Sequence, residues 1–577
     1  MSKLEDIAGS GSFTEKLETY CEELYKEEVR CPLYVDLVNS AISLMEKEGL
    51  TTNELGFMAC VNHATPVRGS RSKRTPGTVD VKNFSEITEP AISEQEGCSK
   101  QNPAPLVILS PDIGSVVAST SSTKRQLSGD EGNDSELNTK QEADGPEDPV
   151  LQCADYATNM FNRGGIRLHV IGTLITDGNM ELLLYTRSGT ASASFSFIHD
   201  RILFLRILLA SSRMSLSQWG MFNTLIPRTL DQPRLPLEEM LQPDRGMFSG
   251  QTFETDGTWF EAMEVAMFPR GLISRGTWAL LVKVVNGRLV DDNVVSPGEE
   301  LFMKISCIAS TRPKEGDYID IATKAAQSNQ AHVWVLDHLP KVLATDEFTP
   351  KVSFDDLFGD KLERRDLRYV IVEKLYPITE LKGLAFGTAF KDIIRCHQWL
   401  IEVAKIMHRD VSLNNLLYRK KEGRTYGVLN DYDLACSLDK PEEPTSRQRT
   451  GTKPFIAMDL LAKPSLKDEL AQHRAQFDLE SFYWMKGSWE DVRAVKSNWL
   501  QSSTPSLTAT YNQFRAVLLV LKEYVSGGLH RLAIYKSREE LHRLTGNDAW
   551  KLPPFDFETL DGNITYTKFI SAFDLML

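Results

Sequence analysis

The sequence predicts an α+β fold in two lobes, with a sheet-rich lobe preceding a helical one. Two observations carry this. Strand-like runs gather between Leu151 and Leu375, where IRLHVIGTLI, MELLLYTRSG, ASASFSFI, WALLVKVV and ELFMKIS are punctuated by turns such as TDGN and RSGT. Beyond Lys382 apolar residues recur at helical spacing, beginning with AFKDIIRCHQWLIEVAKIM. Strands first and helices afterwards form segregated α+β layers. At 577 residues the chain is too long for one core, and the soft rule of about 150 residues per domain allows about two to four units.

In chain order, apolar residues from Phe13 to Gly49 (Leu17, Tyr20, Cys21, Leu24, then Leu37, Ala41, Leu44, Met45) predict two amphipathic helices broken at Pro32. They define an amino-terminal helical segment over residues 1–63. Residues 64–148, rich in Ser, Thr, Gly, Pro and acidic side chains without an apolar period, predict a disordered linker. It carries a basic run of nuclear-import type, Arg68 to Arg74, and a hydroxyl-rich stretch open to phosphorylation, Ser119 to Ser128. Order returns near Leu151. After the first three strands HDRILFLRILLASS reads as a helix, KEGDYIDIATKAAQ as another, and VWVLDHL and YVIVEKL as strands. The sheet-rich lobe, with a β-rich insertion, is assigned to 151–373 and the helical lobe to 374–577.

The totals exclude several function classes. A net charge of −14 opposes a nucleic-acid-coating role and makes anionic membranes poor partners, because both need clustered Lys and Arg. The start MSKLEDIAGSGSF has no charged-then-apolar leader, and the most apolar run, from Ile202, is short and interrupted by Arg206. An intracellular protein, cytoplasmic or nuclear, is expected. The eight cysteines are scattered singly, without a C-x-x-C pair, and read as free thiols of a reducing compartment. No feature fixes an oligomeric state.

Chemistry concentrates in MHRDVSLNNLLY, Met407 to Tyr418. Phosphoryl transfer needs an acceptor for the substrate hydroxyl proton, oxygen ligands for Mg²⁺, and positive charge around the moving phosphate. HRD-x4-N offers Asp410 as the acceptor and the amide oxygen of Asn415 as a ligand. After the hairpin-like LLYRKKEGRTYGVLN comes Asp431 in DYDLA, which resembles the Asp-Phe-Gly metal-binding motif with Tyr432 for Phe and Asp433 for Gly. RTGTKPFIAMDLL, Arg449 to Leu461, resembles the end of an activation segment, with Phe455, Ala457 and Asp459 in the Tyr, Ala and Glu places. Three such motifs in order are specific.

Together with FDLESFYW, and with YTRSGTASASF followed by ISRGTW upstream, these motifs resemble the fungal-type protein kinase domain family, a divergent branch of the protein-kinase-like fold. The resemblance runs from about Leu151 to Trp484. It implies that Lys304 in ELFMKIS, rather than Lys283, contacts the α- and β-phosphates of ATP. Glu315 would be its partner on the next helix, with Asp317 as the fallback. SRGTW would be the phosphate-covering loop, with Gly276 its lone glycine, and Asp478 would brace the catalytic-loop backbone. Arg409 would pair with a phosphorylated Thr445, Ser446, Thr450 or Thr452.

Three features depart from ordinary kinases. Ser412 stands where a lysine usually approaches the γ-phosphate, a mark of the branch; loss of one such donor costs on the order of 10² to 10³ in rate, which Lys453 or Arg449 could offset. Asp433 replaces a flexible glycine. After DLES, the long apolar helix expected next is cut by Lys486, Gly487 and Ser488, so either the tail repacks or the core weakens. The sequence thus leads to a protein Ser/Thr kinase that uses ATP and Mg²⁺ on a protein substrate. The alternatives are a pseudokinase scaffold and a small-molecule phosphotransferase.

Overall fold

The computed structural model describes residues 2–22, 27–50, 149–176, 178–227, 244–286, 293–348, 363–439, 474–484 and 513–574, with short pieces between them. The chain forms two compact units. The first comprises Met1–Glu299, Met303–Ser310 and Asp346–Tyr369, and the second Glu300–Phe302, Thr311–Thr345 and Val370–Leu577.

In the first unit, α1 (Ser2–Ala8) precedes the two expected helices, α2 (Gly11–Glu22) and α3 (Glu27–Lys47), which are not divided at Pro32. The break falls before Glu27, and α3 runs through Pro32. A proline close to a helix start removes only one backbone bond, which tertiary packing can offset. Phe13, Leu17, Tyr20, Tyr34 and Leu37 bury against Phe197, Phe204 and Leu208. Within the segment read as a linker, the described residues are the strand pieces Val79–Asp80 and Val107–Leu109. Arg68 to Arg74 and Ser119 to Ser128 lie outside the described residues.

Helix α4 (Pro149–Arg163), which sequence reading passed over, precedes the meander β1 (His169–Thr176), β2 (Asn179–Thr186) and β3 (Thr190–Ser196). These strands pair antiparallel in chain order as expected. Helix α5 (Arg201–Ser212) follows, capped by Asp200, whose side chain accepts from the Leu203 N–H. Strands β4 (Thr252–Thr255), β5 (Thr258–Met267), β6 (Trp278–Val284), β7 (Glu300–Ala309), β8 (Val342–Phe348) and β9 (Arg365–Glu373) share a sheet in the order β8-β9-β7-β6-β5-β4. The chain passes from one unit to the other within β7, β8 and β9.

The second unit is mainly helical. Helices α6 (Glu315–Gln327), α7 (Gly383–Trp399) and α8 (Ala475–Tyr483) share one core with α9 (Arg515–Thr545) and α10 (Tyr566–Asp574). Strands β10 (Leu416–Lys421) and β11 (Arg424–Leu429) form the expected hairpin. VWVLDHL is not a strand. Gln330–Asp337 is a 3₁₀ helix, started by Asn329, whose side chain accepts from the Ala331 N–H. Periodicity does not separate strand from helix in so short an apolar run. The hairpin sits tightly on α7: a Cβ at Gly427 would run into the Ala389 carbonyl, so only glycine allows this approach.

The fate of the core after DLES is decided by the tail. Lys486, Gly487 and Ser488 lie outside the described residues. Phe482, Tyr483 and Trp484 are buried together with Phe514, Val517, Leu521, Leu560, Ile564, Phe569 and Phe573. Lys391 of α7 also pairs with Asp574 of α10. Apolar side chains from α9 and α10 thus fill this core. Among the described residues no helix is long and apolar enough to cross a membrane, and Cys21, Cys153, Cys307, Cys396 and Cys436 form no disulfide.

Candidate active site

The site begins with two short strands. Ile406–Met407 pairs antiparallel with Cys436–Ser437, which sets the stretch after Met407 beside the stretch before Cys436. Between them the hairpin β10–β11 closes on itself, bringing Asn415 and Asn430 together at its base, where Asn430 N–H donates to the Asn415 carbonyl over 2.9 Å. Local pairing therefore delivers HRDVSLNN and NDYD to one place in the second unit.

His408 fixes the first corner. Asp410 N–H donates to its Nδ1 over 3.3 Å, so Nε2 carries the proton and donates to the Asn430 carbonyl over 3.0 Å. Burial lowers its pKa, in keeping with a neutral ring. Arg409, next along, has φ +66°, a left-handed conformation that costs a non-glycine residue about 1 to 2 kcal/mol. Its N–H donates to Asp478 Oδ2 of α8 over 3.0 Å. The expected brace is thus a direct hydrogen bond to the strained peptide.

Asp478 is itself held. It is fully buried, and its Oδ2 also accepts from His397 Nε2 over 3.0 Å. With Nε2 donating, His397 Nδ1 accepts from the Tyr566 hydroxyl of α10 over 2.7 Å. Burial raises the Tyr566 pKa well above its usual value, keeping the hydroxyl a donor. Tail, core helix and catalytic loop are therefore joined in one buried chain of polar groups.

Asp410 and Asn415 are linked across the loop: Asn415 Nδ2 donates to the Asp410 carbonyl over 2.8 Å. Ser412 is buried beside them and starts the 3₁₀ turn Leu413–Asn415. Asp431 has φ +68°. Its carboxylate, with those of Glu315 and Asp433, forms a cluster whose oxygens lie within 4.8 Å of one another. Glu315 is drawn in because its Oε1 accepts from the Tyr432 N–H over 2.9 Å. The fallback, Asp317, is engaged elsewhere: its Oδ2 accepts from the Lys314 N–H over 3.1 Å at the start of α6. The buried Tyr432 ring meets His408 edge to face, with centroids 5.0 Å apart.

Lys304 and Gly276 belong to the first unit. On β7, Leu301, Met303 and Ile305 are buried, while Lys304 alternates onto the other face and is half-buried. Lys283 of β6 pairs with Glu261 of β5 over 3.1 Å. Gly276, φ +56°, lies in the connection between β5 and β6, which spans FPRGLISRGT and is longer than SRGTW. It contains a second glycine that sequence reading missed, Gly271, at φ +79°. Its signal was the alternation in TWFEAMEVAM, which marks the preceding strand. Thr445, Ser446, Arg449, Thr450, Thr452, Lys453 and Asp459 lie outside the described residues.

A family model described as fungal protein kinase matches residues 132–348 and 327–486, more than half of the chain. The chain belongs to the fungal protein kinase family. This membership makes it a kinase-like phosphotransferase with the two-lobed α+β fold. Both the meander and the catalytic loop of this fungal-type kinase fall within the matched residues, whereas α9 and α10 lie beyond them. Among solved structures, the chain is similar to the Cydia pomonella granulovirus kinase PK-1, at 12% identity and a TM-score of 0.30, over 54% of this chain and 93% of that one. No curated protein matches.

Proposed function

We propose that this protein is an ATP- and Mg²⁺-dependent protein kinase that transfers the γ-phosphoryl group to Ser or Thr of a protein substrate. One observation carries the reading: the loop that holds Asp410 and Asn415 is fixed beside the carboxylates of Asp431, Glu315 and Asp433. Asp410 orients the substrate hydroxyl and accepts its proton. The hydrogen bond from Asn415 to Asp410 uses the amide nitrogen, so its oxygen is the ligand atom.

The donor set fits a hard cation, since Asn415 and Asp431 supply oxygens and Mg²⁺ prefers few protein carboxylates with phosphate and water completing the shell. When bound, Mg²⁺ would neutralise charge developing on the phosphates. Lys304 is assigned to the α- and β-phosphates and Gly271 and Gly276 to the loop over them. Glu315, proposed as the lysine's partner, holds the Tyr432 peptide and with it the conformation of Asp431.

The test is transfer from γ-labelled ATP to the protein itself or a generic substrate, with and without Mg²⁺, beside Asp410→Asn. Transfer should need Mg²⁺ and vanish in the variant; undiminished labelling in Asp410→Asn would remove Asp410 from the mechanism. Buried Ser412, which places no cation at the usual lysine position, favours a second reading, a scaffold that binds nucleotide without turnover. Nucleotide binding with no transfer under any metal would establish it.

A further inference from the structure

The signature YTRSGT has no part in the chemistry above, yet the structure gives its arginine a defined task. Between β2 and β3, the Thr186 hydroxyl oxygen accepts from the N–H groups of Ser188 and Gly189, over 3.2 and 3.0 Å, and so fixes the turn that launches Arg187. Arg187 is 3% exposed. Its Nη1 donates to the carbonyls of Gly271 and Leu272, over 2.8 and 3.3 Å, and reaches the Ser274 hydroxyl at 3.5 Å. Its Nη2 donates to the Phe161 carbonyl of α4 over 3.1 Å, and the guanidinium carbon lies 4.4 Å from the centre of the Phe161 ring.

Gly271, Leu272 and Ser274 are three contacts to the β5–β6 loop. A fourth is steric: a Cβ at Gly276 would stand 2.5 Å from Arg187 Nε, so the loop closes onto the guanidinium at a position only glycine can fill. Burial lowers the Arg187 pKa to about 10, which still leaves it charged at neutral pH. A planar, forked cation satisfies several backbone carbonyls at once; a lysine cannot span them. The other end of the loop is tied as well, since Cys307 N–H of β7 donates to the Arg275 carbonyl over 2.7 Å.

We propose that Arg187 is a positioning residue for nucleotide binding, holding residues 271–276 in the shape that receives the phosphates. This rests on the assignment of that loop as the phosphate cover. A glycine-rich loop has more conformational freedom to lose when it is ordered. Here the ordering is done during folding, and the loop amides are set before ATP arrives, which lowers the cost of binding. The meander thus serves the nucleotide loop from outside the six-stranded sheet.

The experiment uses the full chain with Arg187→Met and Arg187→Lys. Hydrogen exchange is followed over residues 268–277, with the β10–β11 hairpin as internal control, and Mg²⁺-ATP binding is measured by calorimetry. The loop amides should exchange at least tenfold faster in Arg187→Met while the hairpin is unchanged. ATP should bind at least tenfold more weakly, with Arg187→Lys between this and wild type. Where turnover is present, KM for ATP should rise while kcat stays within threefold. Unchanged loop exchange, or faster exchange with unchanged ATP affinity, overturns the inference. If the wild-type protein binds no ATP at all, the kinase reading itself fails and takes this inference with it. Arg187→Lys keeps the charge and the stem, so it decides the question if Arg187→Met does not fold.

Discussion

Replacing Asp478 should separate the scaffold of the catalytic loop from its chemistry. Its Oδ2 accepts from the Arg409 peptide and from His397 Nε2, both over 3.0 Å, in a fully buried setting. A hydrogen bond to a charged group contributes about 1.5 to 3 kcal/mol, and a buried donor left without an acceptor costs about 1 to 3 kcal/mol. Asp478→Ala orphans two donors, so about 3 to 5 kcal/mol is expected. That is a drop in melting temperature of roughly 10 °C, at about 2 to 4 °C per kcal/mol for a unit of this size. Asp478→Asn keeps one oxygen and should lose about half as much. Freed of its brace, Arg409 can relax from φ +66° and move Asp410, and a displacement near 1 Å costs about 10² in rate. Calorimetric melting of the three proteins, with phosphoryl transfer measured well below each midpoint, tests both parts. Should Asp478→Ala melt within 2 °C of wild type, the brace is not what holds the loop.

Other perturbations have equally definite outcomes. Tyr566→Phe leaves His397 Nδ1 without its donor and should cost about 1 to 2 kcal/mol, read as a shifted urea midpoint. Gly427→Ala drives a methyl group into the Ala389 carbonyl and should cost about 3 kcal/mol or more by the same measurement. His169, buried and donating from Nε2 to the Gln218 carbonyl over 2.9 Å, has its pKa lowered by burial to about 4. The unfolded chain takes up a proton near pH 6.5 that the folded chain refuses until about pH 4. Stability should therefore fall as pH drops through this window, by up to about 3 kcal/mol. In His169→Gln that part of the pH dependence should disappear from urea titrations at pH 7, 5.5 and 4.5.

How much of this could be read from the sequence depends on how far apart the partners lie. HRDVSLNN carries Asp410 and Asn415 within a few residues, and the hairpin that follows returns the chain to Asp431 by local pairing. Loop, hairpin and the segment of Asp478 were therefore legible as motifs, as was the alternating strand that carries Lys304. Glu315 was named, through the resemblance, as the partner of Lys304 on the helix that follows β7; its position among the carboxylates of Asp431 and Asp433 was not visible, because it arises from a contact 117 residues long. VWVLDHL misled because seven residues hold too little periodicity to separate a strand from a 3₁₀ helix.

The sequence by itself determined the segregation of a strand-rich part from a helical one, the catalytic-loop motif and the kinase family, since each is written in neighbouring residues. Tertiary structure alone decided that α9 and α10 complete the core beside Phe482, that Tyr566 reaches Asp478 through His397, and that Arg187 meets Gly271 and Gly276. Those pairings join segments whose separation no local period encodes. They are selected by which apolar faces and buried polar groups can all be satisfied at once when the chain closes on itself.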